Sequence, residues 1–377
     1  MMKTSEDTIS LYKALKECVD KYFEHKGNSR FADWIFWIKA LFFLAIPVAG
    51  YLILLEFGAI SLLIVVTGYM LLNAGSILLV VNLAHDASHH SLSKNRIVNN
   101  IFSYTWNIIG ISKYLWDIQH HRSHHNHTGI PQRDVDVAEN NWIRYSPTHS
   151  YHSYYKYQHL YAPFLYLLFG IFVVYIKDFV MLFSNKLNDY GIDKLPRHFL
   201  WRLIWTKLLY IFASVVIPIL VLPYAWWVVL IIYLATLSIC SGSMLIVLVI
   251  PHINEYAFTP EKDVSIKNKD DWALHQLYSN IDSSANSQWL SWLLGGLNTH
   301  LVHHIFPNIC HIHYLQLTRV IKQTLKKRGI PYKERSFVSG VTDHFKFLKL
   351  MGMKPSEFRK SNHSFLMLSG NEYKKFR

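Results

Sequence analysis

Histidine is concentrated in three short segments of this 377-residue chain: "HDASHH" at 85–90, "HHRSHH" at 120–125 and "HLVHH" at 300–304. Within each segment some histidines lie three or four residues apart, which would bring their rings to one face of a helix. The histidines with this spacing are His85, His89, His121, His124, His125, His300, His303 and His304. Such crowded imidazoles leave donors and acceptors unsatisfied when neutral and repel one another when charged. Metal ligation removes both problems, so the spacing predicts a metal centre.

The number and type of these side chains restrict the metal. A protein site for one zinc ion closes with about four ligands, so eight imidazoles are too many for one ion and favour two neighbouring ions. Imidazole coordination without cysteine suits iron, copper or zinc. Cys18, Cys240 and Cys310 are isolated, which predicts neither a disulfide framework nor a thiolate site. The absence of an HExxH motif argues against a zinc protease.

The elements that must position the histidines are apolar and long. No Lys or Arg occurs between Lys39 and Lys94 or between Lys207 and Lys262. Each gap holds enough apolar residues for two helices that cross a bilayer, at about 20 residues per crossing. We therefore predict an all-α integral membrane protein with four transmembrane helices in two hairpins, over about 35–55, 59–83, 208–224 and 225–250.

Neither hairpin tip carries a Lys or Arg, so the positive-inside rule predicts that the remaining regions are cytoplasmic. These regions are an N-terminal arm (1–34), segments 84–207 and 251–335, and a C-terminal tail (336–377), with a membrane domain over 35–335. Two further apolar stretches, Ile97–Trp116 and Leu160–Phe183, contain polar residues and are expected at the membrane interface. If Leu160–Phe183 crossed the bilayer, the second and third histidine segments would face opposite sides.

The net charge of +13 is better explained by anionic lipid headgroups and phosphate-bearing substrates than by nucleic acid. No helix-turn-helix, zinc-finger or RNA-binding signature is present, so no nucleic-acid partner is expected. A redox metal pair beside lipid could activate O2 against a buried hydrocarbon, which amino-acid side chains cannot do. Iron is therefore the favoured metal.

The three segments also resemble a known family, the membrane fatty acid desaturases. "HDASH", "HRSHH" and "HLVHH" resemble its histidine boxes HxxxH, HxxHH and HxxHH, in the family's order and with two spans between the second and third. The stretches "GGLNTHLVHHIFPNICHIHY", "GIPY", "PHINE" (251–255) and "WALHQL" (272–277) are similar to the acyl-lipid and linoleoyl-CoA branch. The resemblance covers roughly residues 35–335.

This resemblance implies a non-haem di-iron enzyme with four transmembrane helices under a cytoplasmic helical cap. Such an enzyme inserts a C=C double bond into a fatty acyl chain, linked to CoA or to a lipid, using O2 and two electrons. The resemblance also proposes His275 as a ligand. In the second box relatives include both HxxxHH and HxxHH, and this chain fits both; we favour His121 for its spacing and expect His120 to support the ligands. Asp134 and Asp136 would orient ligating rings, although a solvated loop explains them equally well.

Two departures from the family pattern matter. Many relatives that desaturate near the carboxyl end have Gln at the first position of the third box, whereas His300 stands here, so the double-bond position is not inherited from that branch. Many also carry a fused cytochrome b5 domain with an HPGG motif, which the N-terminal arm lacks. Electrons are therefore expected from a separate ferredoxin or cytochrome b5 that docks on the basic cytoplasmic face.

Two other functional classes compete with a desaturase. A di-iron membrane hydroxylase of alkanes, sterols or carotenoids would use the same ligands and differ in its product. A metal transporter would need ligands inside the spans, whereas these boxes lie at or beyond span ends. The sequence fits a multi-pass protein of either a bacterial inner membrane or the endoplasmic reticulum, with the boxes on the cytoplasmic side.

Overall fold

The protein was analysed as a computed structural model, which describes residues 10–26, 29–184, 189–190, 192, 195–257 and 266–360. Residues 1–9 and 27–28 of the predicted N-terminal arm and 361–377 of the predicted C-terminal tail lie outside the described residues. The α-helices are Leu11–Lys26, Trp34–Phe57, Leu62–Leu79, His85–Ser88, Arg96–Ser103, Thr105–Ile108, Lys113–Asp117, His125–His127, Gln158–Leu167, Phe169–Ile171, Asp178–Phe183, Phe199–Ile211, Ile217–Val221, Trp226–Val249, Lys269–Ser279, Gln288–Leu293, His300–Ile305, Tyr314–Lys327, Phe337–Met351 and Pro355–Lys360.

Wider and tighter helical turns connect several of these helices. The π-helical turns are Val80–Ala84, Ile118–His124, Phe172–Lys177 and Phe212–Val216, and the 3-10 turns are Gly58–Ile60, Val135–Val137, Ser153–Tyr157, Leu297–Thr299 and His311–His313. In the described residues the strands are two dipeptides, Asp282–Ser283 and Glu334–Arg335, which pair in parallel. The described part of the chain is therefore all-α apart from this minimal strand pair.

Among the residues that the structure describes, four continuous helices are long and apolar enough to cross a membrane: Trp34–Ile60, Leu62–Ser88, Phe199–Val221 and Trp226–Val249. They confirm the predicted all-α membrane fold with four spans. Asp33 begins the first by accepting the backbone N–H of Phe36, and Ser61 begins the second by accepting that of Ile64. The third helix starts at Phe199 and so includes Lys207, the residue at which the sequence analysis placed the boundary of the apolar gap.

Lys207 is tolerated in this helix because it is neutralised inside the protein. Its Nζ lies 2.8 Å from the Oδ2 atom of Asp178 and donates to the backbone carbonyl of Gly110. The same carboxylate accepts the backbone N–H of Ser112, and both charged side chains are buried. Asp178 and Lys207 therefore tie together the two segments that the sequence analysis had found too polar for an ordinary span.

The segment around Leu160–Phe183 is not one straight helix. Ser153–Leu167 and Phe169–Phe183 bend by 55° at their junction, and together they have the length and composition of a fifth span or a re-entrant element. Phe164 and Phe183 are exposed on this segment, as expected for side chains in contact with lipid.

By its internal contacts the chain divides into two compact units. The first unit comprises residues 1–31, 123–162 and 247–377, and the second unit comprises residues 32–122 and 163–246. One boundary falls between Arg122 and Ser123, inside the second histidine box. The second unit contains the four spans apart from the last three residues of the fourth.

Close helix packing holds the first two spans of the second unit together. A Cβ added to Gly68 would lie 2.8 Å from the Cβ of Leu54, and one added to Gly50 would lie 2.6 Å from the backbone nitrogen of Leu72. Only glycine allows the two backbones to approach this closely, as is common between membrane helices. The hydroxyl groups of Tyr175 and Tyr210 lie 2.7 and 2.9 Å from that of Tyr233, which satisfies polar groups among the spans.

The first unit has its own apolar core, beneath the third histidine box. Leu15 of the N-terminal helix Leu11–Lys26 packs with Leu317 and Ile321 of the helix Tyr314–Lys327, and Val302 of the third box belongs to the same buried cluster. Gly295 and Gly296 both have positive φ angles (59° and 74°) and end the preceding helix, so the box helix starts afresh in this core.

The helix Phe337–Met351 is fixed to the first unit by a buried arginine. The Nη1 group of Arg144 donates to the carbonyl of Met351 (2.8 Å), its Nη2 to the carbonyl of Pro147 (2.6 Å) and its Nε to that of His149 (3.1 Å). The side-chain amide of Gln158 also donates to the carbonyl of Leu348. The charge of Arg144 therefore lies at the negative end of a helix dipole.

Candidate metal centre

Three histidines of the second unit converge on one point. The Nε2 atom of His120 lies 3.3 Å from that of His85 and 3.1 Å from that of His89. Three facing nitrogen atoms cannot all carry protons at these separations, and their spacing is compatible with one bound metal ion. The structure thus brings together His85 and His89 of the first box and His120, the histidine that begins the second segment.

A π-helical turn explains why His120 takes this position. Residues Ile118–His124 form i→i+5 hydrogen bonds, whereas the sequence analysis assumed α-helical spacing and favoured His121. His121 lies beside the group, with its ring centroid 4.4 Å from that of His89. Burial lowers the pKa of His121 to about 3, with a further contribution from the nearby His85, so its ring is neutral at physiological pH.

Four buried histidines of the first unit form a second group. His124, His252, His300 and His304 each have a ring nitrogen within 4.8 Å of one in every other member. His304 also belongs to a group with His125 and His303, whose Nε2 atoms are 3.0 Å apart. All of the predicted ligands of the third box therefore meet the last two histidines of the second box.

Asp134 orients the ring of His124. Its Oδ2 atom lies 3.0 Å from Nδ1 of His124 and accepts the backbone N–H of Gly129, while Oδ1 accepts that of Asp136. Burial alone would lower the pKa of His124, but the charge and hydrogen bond of Asp134, with the charge of Asp136, raise it to about 9. Burial opposes ionisation of Asp134, but His124 and these backbone N–H groups hold its pKa below the usual value.

Other polar groups orient two more rings. The Nδ1 atom of His252 lies 3.3 Å from the carbonyl oxygen of Ser279, and Nδ1 of His304 lies 3.2 Å from the hydroxyl of Thr128. A carbonyl can only accept, so His252 carries its proton on Nδ1 and presents an unprotonated Nε2. Burial lowers the pKa of His252 to about 3, and it also places that of His304 well below the usual value.

These residues fit a transition-metal ion. The Nε2 atoms of His252 and His304 are buried and have no hydrogen-bond partner among the described residues, although a buried lone pair without a partner is costly. A bound metal would satisfy both, and the hydrogen bonds at Nδ1 are the usual arrangement around a ligating imidazole. The donor set is rich in imidazole and free of thiolate, which suits iron.

His275 has a different setting. Its Nε2 lies 2.7 Å from the carbonyl oxygen of Thr128, so this nitrogen donates to the backbone. Burial lowers the pKa of His275 to about 4. The neighbouring Gln276 and Trp272 both donate to the carbonyl of His125, at 3.0 and 3.3 Å. The motif "WALHQL" therefore fixes the backbone that follows the second box.

His252 is the member of these groups that spacing did not reveal. It has no histidine three or four residues away, and its motif "PHINE" had entered only through family resemblance. The structure places it three residues after Val249, the last residue of the fourth span, in a turn where the backbone N–H of Ile253 bonds back to the carbonyl of Val249. Its position directly after a span, as with His85 at the end of the second, is the signal that could have found it.

Comparison with known sequences supports the same chemistry. The sequence model of the family described as "Fatty acid desaturase" matches residues 59–336. The chain is 27% identical over 343 residues to "sn-1 linoleoyl-lipid 6-desaturase" of Synechocystis sp., covering 90% of this chain and 95% of that protein.

Two further relatives extend this comparison. The protein of the same description from Arthrospira platensis is 28% identical over 352 residues, covering 92% of this chain and 94% of that protein. "Acyl-lipid (8-3)-desaturase" of Physcomitrium patens is 28% identical over 354 residues, covering 92% of this chain and 72% of that protein. The similarity thus extends over nearly the whole chain.

Proposed function

The chain belongs to the fatty acid desaturase family, and from this premise we propose that it introduces a double bond into an acyl chain esterified in a membrane lipid, using two histidine-bound iron ions. Its activity as a fatty acyl desaturase follows from the family match and the relatives. The observation that carries the two-metal proposal is that each unit contains converging imidazoles of its own, around His120 in the second unit and around His304 in the first.

We propose nine iron ligands: His85, His89, His120, His124, His125, His252, His300, His303 and His304. This set differs from the sequence-based one by replacing His121 and His275 with His120 and His252. The replacement rests on the convergent Nε2 atoms around His120, on the unpartnered Nε2 of His252, and on the backbone hydrogen bond of His275. Iron, when bound, supplies the oxidation by O2 that side chains cannot perform.

The protein residues have supporting roles in this reaction. Asp134 keeps the proton of His124 on Nδ1 and so directs Nε2 towards the metal. Burial keeps His252 and His304 neutral, which leaves their lone pairs available for ligation. Because the histidines of the first-unit group are buried, water would be excluded from acyl carbons held beside them. The position of these carbons relative to the site would decide between desaturation and hydroxylation.

The names of the relatives guide the substrate proposal. All three describe enzymes of lipid-linked acyl chains, so we favour a glycerolipid over acyl-CoA. The double-bond position is a separate matter, since His300 stands where many such relatives have Gln. We further propose that a ferredoxin or a cytochrome b5 supplies the two electrons, attracted by the excess of basic residues.

We place the histidine boxes on the cytoplasmic side of a bacterial inner membrane or an endoplasmic reticulum membrane. The absence of Lys and Arg from both hairpin tips, around Gly58 and Pro223, supports this orientation. In bacterial spheroplasts, a single-cysteine variant at a tip should react with an impermeant thiol reagent added from outside. In endoplasmic reticulum microsomes, whose outer surface is cytoplasmic, the same variant should react only after membrane disruption. The reverse pattern in either preparation would contradict the orientation.

Expression in a host with a simple lipid profile tests the activity. We expect mass spectrometry to detect new unsaturated acyl chains in cells that express the protein. Cells that express His124→Ala should contain none of them. During a short pulse of labelled fatty acid, labelled unsaturated chains should appear first in glycerolipids. Their first appearance in acyl-CoA would identify acyl-CoA as the substrate. New hydroxyl groups in place of double bonds would identify a hydroxylase.

Metal analysis tests the proposed ligands with two matched pairs of variants. We expect His120→Ala and His252→Ala each to lower the iron content, from two ions per chain towards one. His121→Ala and His275→Ala should hold nearly the wild-type amount, because their rings pack beside the ligands or bond to backbone. If His121→Ala lost more iron than His120→Ala, or His275→Ala lost more than His252→Ala, the ligand predicted from the sequence would be the correct one in that pair.

A further inference from the structure

Two tryptophans form a continuous stack with a proposed iron ligand in the second unit. The ring centroid of Trp116 lies 4.3 Å from that of His120, and the planes are 25° apart. On its other side Trp116 stacks on Trp106 with the same separation and angle, 4.3 Å and 25°. The three rings thus form one column that begins at the metal group.

Trp116 contacts the whole imidazole group as well as His120. Its centroid lies 5.9 Å from that of His85, 6.5 Å from that of His89 and 5.5 Å from that of His121, in edge-to-face contacts. Indole is the aromatic side chain most easily oxidised by one electron when no proton is lost. Trp116 is therefore in contact with the histidines of the metal site, where an oxidised metal could take an electron from it.

The far end of the column is shielded from solvent. Trp106 is buried in an apolar cluster with Val80, Ala84 and Val173. Its Nε1–H group is buried and has no hydrogen-bond partner among the described residues. An oxidised indole at this position therefore has no protein acceptor for its proton, so it would remain a cation radical that can be reduced again.

We propose that Trp116 and Trp106 form an electron relay that protects the metal site bound by His85, His89 and His120 when it is oxidised without an acyl chain in place. This inference rests on the proposed iron-dependent function. Stacked rings in contact allow rapid transfer of single electrons, and the offset-stacked arrangement that aromatic pairs favour keeps these rings in contact.

Each transfer in this relay is balanced. Trp116 gives one electron to the oxidised site and becomes an indole cation radical. Trp106 gives one electron to Trp116 and becomes the radical in turn. Because Trp106 is buried, an electron from the one-electron donor protein that serves the reaction then reaches Trp106 through the protein interior and reduces it. No bond forms or breaks and no proton moves, so one electron has passed from the donor to the site.

Freeze-quench electron paramagnetic resonance tests the relay in full-length, iron-loaded protein. The reduced protein is mixed with O2 without lipid substrate, and ring-deuterated tryptophan identifies the radical by its altered hyperfine pattern. We expect a tryptophan radical in the wild type and background signal in Trp116→Phe. Phenylalanine still stacks on His120 but is much harder to oxidise. Iron content and the optical spectrum verify that the variant keeps its site.

Two more variants complete the test. Trp106→Phe should leave a radical on Trp116 alone, with a shorter lifetime. Trp205→Phe is the matched control, because Trp205 packs on Trp201 in the third span, and it should leave the signal unchanged. Trp116→Phe should also complete fewer turnovers before inactivation than the wild type.

The outcomes separate the relay from the proposed function. If the wild type forms no double bonds with donor, O2 and lipid, the proposed function fails. If it forms them but gives no tryptophan radical, or the same radical in Trp116→Phe, the relay is wrong.

Discussion

The imidazole of His124 and the carboxylate of Asp134 form a buried pair, with Nδ1 and Oδ2 3.0 Å apart. Asp136 approaches the same nitrogen at 3.4 Å but is more than a third exposed. The two acidic residues of "RDVD" thus differ in burial and in distance from the ring. Asp134 is the one whose geometry supports a ligating imidazole.

Replacing Asp134 should therefore weaken metal binding. We expect Asp134→Asn to lower the affinity of the metal-free protein for Fe²⁺ or Co²⁺ by roughly 10–100-fold, because the ring loses a charged acceptor at Nδ1. Calorimetric titration in detergent measures the change. Asp136→Asn is the control and should have a smaller effect. Equal losses in both variants would assign the effect to net charge instead of ring orientation.

The hydroxyl of Thr128 contacts two members of the histidine group in the first unit, His304 and His124. It lies 3.2 Å from Nδ1 of His304 and 2.8 Å from the carbonyl of His124. Thr128→Val removes the hydroxyl at constant shape, which should cost about 1–3 kcal/mol of unfolding free energy and reduce iron content. Thr128→Ser keeps the hydroxyl and should retain iron. Wild-type iron content in Thr128→Val would exclude a role for this contact.

Asp282 gives a pH-dependent prediction. Its Oδ1 atom accepts the backbone N–H of Leu301 in the third box, and Tyr332 donates to its Oδ2. Burial raises the pKa of this carboxyl from 3.8 to about 7, against the opposing effect of these hydrogen bonds. Since the folded pKa exceeds the unfolded one, its contribution to stability is complete below 3.8 and is lost as the pH rises through 7.

Asp282→Asn keeps an acceptor for Leu301 but cannot ionise. Its stability relative to the wild type should therefore increase between pH 5 and pH 8, on the order of a few kcal/mol. Thermal unfolding of the metal-free proteins in detergent across this range measures the difference. A constant difference would mean that Asp282 is already ionised at the lower pH.

The buried Lys207–Asp178 pair should be costly to break. Lys207→Met leaves the carboxylate of Asp178 buried without its cation, so we expect a loss of about 3–5 kcal/mol. Lys113→Ala removes the partly exposed partner of Asp117 and should cost no more than about 1 kcal/mol. Thermal unfolding in detergent compares them. Similar losses would show that water reaches the buried pair.

Much of the fold could be predicted because membrane spans depend on length and apolar composition. The spans and the grouping of boxes follow from those properties and from helical spacing. Two features could not be predicted in this way. A π-helical turn changes which ring of the second box reaches the first, and it has no simple pattern in the residues Ile118–His124.

Long-range pairing was the other limit. Lys207 looked like the end of an apolar gap because its partner Asp178 is 29 residues away, and His252 looked isolated because the other members of its group come from distant segments. Spacing rules detect residues on one helix face, whereas these contacts depend on how separate segments pack. "GIPY" and "WALHQL" gained a physical meaning only when Tyr332 and Gln276 were seen to bond near the boxes.

The hydrogen bonds of Arg144 have a consequence for shortened versions of the protein. Its guanidinium is wholly buried and donates to the carbonyls of Met351 and Met353, which lie beyond the residues 59–336 that match the family model. An expression clone that stops at residue 335 would remove both acceptors of the buried Nη1 group and expose the apolar surface that Phe347 covers. A usable truncation for crystallisation or fusion should therefore retain the helix Phe337–Met351 and the residues up to Phe358, which is also buried.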